Sequence, residues 1–144
     1  MAEQNFENHV RLVPPFHFFV LPMLALNAVG SIARVVRGGL SFDGVVWILT
    51  SFAILLAALL GRMFALSVQN RVIRLEERVR MERLLPADLK ARIGEFSCGQ
   101  LIALRFASDT ELPDLARMVL TDKIQEGKAI KKMVKNWRAD YLRA

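Results

Sequence analysis

Cysteine occurs once in this chain, as Cys98. A lone cysteine excludes an internal disulfide and any cysteine-based metal cluster. It agrees with a reducing compartment for the water-exposed part. Histidine occurs only as His9 and His17, both far in sequence from Cys98. Cys98 therefore has no local partner for nucleophilic chemistry and is expected as a small buried hydrophobe beside a helix cap. The sequence contains no G-x-x-x-x-G-K-[ST], no G-x-G-x-x-G and no H-E-x-x-H. Those are the spacings that cradle phosphates or hold zinc. Without them nothing favours an enzyme, and no catalytic residue, cofactor or metal ligand is assigned. Strand signals, internal repeats and low-complexity linkers are also missing, so the fold class is all-α.

Charge is missing from two long stretches. Val45 to Gly61 is 17 residues without a charged side chain, and if Arg62 snorkels the apolar run reaches Leu66. Phe16 to Ala33 is 18 residues without a formal charge, with His17 neutral. About 20 such residues cross the hydrocarbon of a bilayer. The chain thus reads as an integral membrane protein with helices over about 16–36 and 45–66. Pro22 lies inside the first and should kink it, because proline removes a backbone bond. The second helix has no histidine, which excludes a bis-histidine haem site within one hairpin. His17, among Phe16, Phe18 and Phe19, reads instead as a polar tip in an interfacial aromatic belt.

Proline is also absent between Val45 and Leu85. The second helix is therefore expected to continue past Leu66 as one rod of roughly 60 Å at 1.5 Å per residue. The connection 37–44 is too short for anything but an antiparallel transmembrane hairpin. Three segments follow: an N-terminal segment 1–15, the hairpin 16–66, and a small helical cytoplasmic subdomain 67–144. The first 15 residues carry Glu3 and Glu7 against Arg11 alone, so the positive start of a secretory signal is missing. Residues 1–43 hold three basic and three acidic side chains, so the whole net charge of +6 arises after the connection. By the positive-inside rule both termini face the cytoplasm.

What is present suggests packing. Ala53, Ala57 and Gly61, spaced by four, form a small-residue stripe for membrane-helix packing. Asn27, Ser31, Thr50 and Ser51 are polar groups placed to bond across the hairpin. Val68, Val72, Leu75 and Val79 recur at four, three and four. That stripe either begins a coiled coil or receives the cytoplasmic helices, and the second is preferred because it covers only two heptads. Glu76–Arg80 and Arg78–Glu82 have the spacing of helical ion pairs. Ser97–Gln100 has the form of a capping box, and Ser108–Glu111 repeats it before a helix over 109–124. Pro86 opens a further helix over 87–96, interrupted near Gly94. Last comes a basic amphipathic segment: Lys128, Lys131, Lys132 and Lys135 share a face, Arg138 follows, and Ile130, Val134 and Trp137 lie opposite. That pattern suits an acidic surface, either lipid or protein; nucleic acid is the lesser alternative.

The combination of Gln4–His9, Phe16–Phe19, Val68–Arg78, Leu101–Asp109 and Lys128–Lys132 resembles a family of small bacterial two-span inner-membrane proteins of unknown function. The resemblance implies two membrane helices and a helical cytoplasmic part, in the bacterial inner membrane. It brings no activity or substrate. The function expected is that of a membrane-anchored structural or accessory subunit. It would pack against a larger membrane complex or against itself. The alternative is a tethered module that binds anionic lipid or nucleic acid through the basic segment.

Overall fold

The computed structural model describes residues 4–9 and 12–141. Glu3 and Arg11, which entered the reading of the N-terminal end, lie outside the described residues. Among the described residues the fold is all-α, with a single isolated antiparallel bridge between Ala107 and Trp137. The helices are α1 (Leu21–Gly38), α2 (Phe42–Leu84), α3 (Ala87–Lys90), α4 (Cys98–Leu104), α5 (Leu112–Thr121) and α6 (Gly127–Met133). A π-helical segment, Pro15–Val20, precedes α1, and a 3₁₀ turn, Ile93–Glu95, precedes α4. The chain divides into two compact units: Leu12–Leu66, and Met1–Arg11 with Ser67–Ala144.

The first unit is a pair of apolar helices. The kink expected at Pro22 is met by a change of helical register. Leu21 N–H reaches back to Phe16 O, five residues away, in the π-helical segment just before the proline. A π-helical turn is one of the recognised ways of absorbing a proline's missing donor. Gly39 ends α1 with φ 83, a left-handed conformation that favours glycine. Ser41 starts α2, its Oγ accepting from Gly44 N–H at 3.1 Å. The connection is thus shorter than 37–44, because α1 continues to Gly38 and α2 begins at Phe42.

α1 and α2 meet antiparallel, Val35 against Gly44 and Ser31 against Ser51. A Cβ built on Gly44 would stand 2.6 Å from Val35 Cγ2, so the close approach requires glycine. Ser51 Oγ lies 2.5 Å from Asn27 Oδ1, 2.9 Å from Ser31 Oγ and 2.7 Å from Trp47 O. A hydroxyl has one proton. The shortest contact takes that of Ser51 to Asn27 Oδ1, while the single proton of Ser31 has two acceptors at 2.9 Å, Ser51 Oγ and Asn27 O. Three of the four expected polar groups join here. Thr50 is exposed, one residue off the contacting face.

The second unit has its own core. Met81 and Leu85 at the end of α2 pack with Leu89, Ile93 and Phe96, and with Leu101 and Leu104 of α4. Leu112, Leu115 and Val119 of α5 and Ile130 of α6 complete it. The Ser97 capping box forms in full, Ser97 Oγ accepting from Gln100 N–H and Gln100 Oε1 from Ser97 N–H. Buried Gln100 also donates to Ile124 O at 2.8 Å, tying the cap to the chain after α5. The second box forms only in part. Ser108 Oγ accepts from Glu111 N–H, but the Glu111 carboxylate turns to Lys135 and Asn136 N–H. Accordingly α5 begins at Leu112, not at 109, and ends at Thr121.

Candidate functional site

The packing face of α2 in the second unit differs from the one expected. Ile73, Glu77, Met81 and Leu85 are buried. Val68, Val72, Leu75 and Val79 are 61, 49, 66 and 46% exposed. The helices after Pro86 therefore do not fold onto that stripe. The reason lies with charged residues in the buried row. Glu77 replaces an apolar residue there, a position that pattern reading assigns to the polar face. It is tolerated because Arg80 reaches Glu77 Oε2 at 3.1 Å and Arg138 reaches Oε1 at 3.4 Å. Burial pushes the Glu77 carboxyl above its ordinary value, and Arg80 and then Arg138 pull against that shift. Arg80 also binds Asp109 at 2.6 Å and Ala107 O at 2.7 Å. It is thus spent on Glu77 and Asp109, and the expected Glu76–Arg80 pair does not form.

A second cluster joins the two ends of the chain. Phe106 is fully buried. Trp137 stacks on it at 4.5 Å between ring centroids and an interplanar angle of 20°. His9 approaches the Phe106 ring edge-on at 5.6 Å and lies 5.8 Å from the Phe6 ring. Lys131 Nζ stands 3.1 Å from His9 Nε2 and 5.4 Å above Phe106. An ammonium only donates, so Nε2 accepts here and Nδ1–H donates to Phe6 O at 2.6 Å. Arg105 lies 4.1 Å from the centroid of the Phe106 ring and binds Asp140 at 2.9 Å. Gln4 holds the same residue by its backbone, Asp140 N–H donating to Gln4 Oε1 at 2.7 Å. The indole Nε1–H of Trp137 is buried with no acceptor among the described residues.

This arrangement redistributes the basic segment. α6 stops at Met133, and Val134 turns extended. The chain then pairs with Phe106–Ser108: Ser108 N–H donates to Asn136 O at 3.0 Å and Arg138 N–H to Phe106 O at 2.7 Å. Backbone bonds to that edge win over one more helical turn. The amphipathic helix expected over 128–138 is thus only seven residues long, and Lys135 and Arg138 lie beyond it. Lys131 goes to His9, Lys132 lies 5.9 Å over Phe6, and Arg138 pairs with Glu77. Lys128, Lys132, Lys135 and Arg138 are all exposed nonetheless. Cys98 is exposed on the first turn of α4, contrary to expectation, while Gln100 of the capping box is the residue buried there. His17 Nδ1 lies 2.9 Å from Val13 O, and its ring meets Phe16 edge-on.

Ala53, Ala57 and Gly61 lie on an exposed side of α2. A Cβ on Gly61 would meet nothing within 4 Å. The hairpin contact is made instead by Gly44 and Ser51, and the half-buried Ile48, Leu55 and Ala58 continue that row. Sequence reasoning missed Gln4, Phe6, His9, Phe106 and Glu77 as tertiary contacts. The one available signal was Glu77 itself, an acid at i–4 from Met81 in an otherwise apolar row.

The geometry defines a class: an all-α protein with two helices long and apolar enough to cross a membrane, and a separate small helical unit with its own core. The chain belongs to a family of unknown function, DUF6526, whose family model matches residues 1–144. No curated protein and no solved structure matches it.

Proposed function

We propose that this protein is a membrane-anchored structural or accessory subunit. The hairpin spans the bacterial inner membrane and the helical unit lies on the cytoplasmic side. The observation that carries the proposal is the exposure of the apolar helices. The most apolar windows of Pro15–Gly38 and Phe42–Leu84 have mean hydropathy 1.8 and 2.3, and only 6 and 11% of each is buried. Core helices of a water-soluble domain bury their apolar surface. Exposed apolar helices of this length call for lipid, the solvent in which helices satisfy their own backbone. The Ser31–Ser51–Asn27 cluster supports it, since polar groups at membrane depth commonly tie helices together.

Against the alternative of a basic module for anionic lipid or nucleic acid stands the dispersal of its cations. Lys131 is engaged with His9, and Lys135 and Arg138 lie past the end of α6, so the five cations share no single helix face. The role proposed is non-enzymatic. Fractionation tests the anchor: the expressed protein should sediment with membranes and stay there through an alkaline carbonate wash. Release into the supernatant would overturn it. A reporter fused after Ala144 should be active only on the cytoplasmic side.

A further inference from the structure

We propose that the exposed stripe Val68, Val72, Leu75 and Val79 of α2 pairs with the same stripe of a second copy of this chain, as a short parallel two-stranded coiled coil. The inference rests on the membrane reading and names the partner it leaves open. Each residue of the stripe is a large hydrophobe left exposed on a helix whose packed row, Ile73, Glu77, Met81 and Leu85, is a different one. This part of α2 carries Arg71, Arg74 and Arg78, so lipid does not account for the apolar row.

Three features select a second copy. In heptad register the stripe places Val72 and Val79 at a, and Val68 and Leu75 at d. β-Branched residues at a with leucine at d favour two parallel strands, a pattern met by Val72, Val79 and Leu75 but not by Val68. The flanks are complementary. Arg71 falls at g and Glu76 at the following e, the two positions that meet across a parallel pair. Both are exposed. The next such pair is Arg78 with Arg83, and the next d position is Glu82. Repulsion there ends the seam at Val79, which explains why it covers only two heptads. The register also continues toward the N-terminus: Gly61 stands one heptad before Val68 and Ala65 one before Val72. Neither bears a side chain large enough to hold two helices apart. Orientation follows from the anchor, since copies inserted alike in one bilayer carry α2 in the same direction.

Cysteine crosslinking in membranes of cells expressing the full chain tests this, in a Cys98→Ser background because Cys98 is exposed. Leu75→Cys and Val72→Cys should yield a disulfide-linked dimer on mild oxidation. Asn70→Cys, exposed but off the seam, should remain monomeric. Arg71→Glu in the Leu75→Cys protein should lose the dimer band, and adding Glu76→Arg should restore it. Equal yields at positions 70, 72 and 75, no dimer at 72 and 75, or a crosslink to a protein of another mass would each overturn the proposal. A lost band that Glu76→Arg fails to restore would overturn the assigned register. Fractionation of the same samples keeps the two readings apart. Protein found in the soluble fraction sinks the anchor, while its crosslinking pattern still decides the pairing.

Discussion

At the scale of single residues, Glu77 is the least expected side chain in the molecule. It is a carboxylate in the buried row of α2, held by Arg80 and Arg138. Its folded value lies above its ordinary one because burial outweighs the arginines. A raised carboxyl favours its protonated form in the folded state. The stability it contributes is therefore full below the ordinary value of 4.5 and is lost as pH rises through the higher folded value. Glu77→Gln removes that titration. The melting temperature of the variant relative to wild type should shift in the variant's favour as pH is raised through this window. A difference that stays constant with pH would show that Glu77 titrates alike in both states. Phe106 makes a simpler prediction. It is fully buried beneath Trp137 and Arg105. Phe106→Ala should cost about 3–5 kcal/mol in chemical unfolding of the helical unit, as large aromatic truncations in cores do.

At the scale of elements, one cap, one cross-helix hydroxyl and one glycine decide where a helix starts and how closely two helices cross. Ser97→Ala removes half of a complete capping box, and should cost about 1 kcal/mol by denaturant unfolding. Ser51→Ala removes the centre of the hairpin's hydrogen-bond cluster. Across membrane helices such bonds are worth about 0.6 kcal/mol on average. A modest fall in detergent melting temperature is expected there. Gly44→Leu should do more, because even a Cβ at that position meets Val35. Equal tolerance of Gly44→Leu and Gly30→Leu would contradict the hairpin geometry, since a Cβ on Gly30 meets nothing within 4 Å.

At the scale of the whole molecule, the chain's first residues belong with its last. Gln4 clasps the Asp140 backbone, and His9 lies among Phe106, Trp137 and Lys131. Deleting residues 1–9 should lower the unfolding temperature of the helical unit. It should also move Trp137 emission to longer wavelength in a Trp47→Phe background, as water reaches the indole. An unchanged spectrum would show that the N-terminal segment does not cover Trp137.

Much of this was legible in the residues. Helix class, the two apolar helices, the uninterrupted α2, the Ser97 cap and the change of character at Leu66 all follow from composition and local pattern. Such features depend on neighbours a few residues away, and local backbone chemistry suffices for them. Which stripe of α2 would be buried did not follow. Val68, Val72, Leu75 and Val79 form the more apolar row, yet the row with Glu77 is the buried one. Burying a carboxylate depends on arginines that arrive from 3 and 61 residues away. The end of α6 is the same kind of case. Periodicity extends the helix to Trp137, but backbone bonds to Phe106 and Ser108 draw residues 136–138 into an extended path. Local pattern determined what each segment can be. Long-range partners decided which of two plausible faces is covered, because only they satisfy a buried charge or an unpaired backbone group.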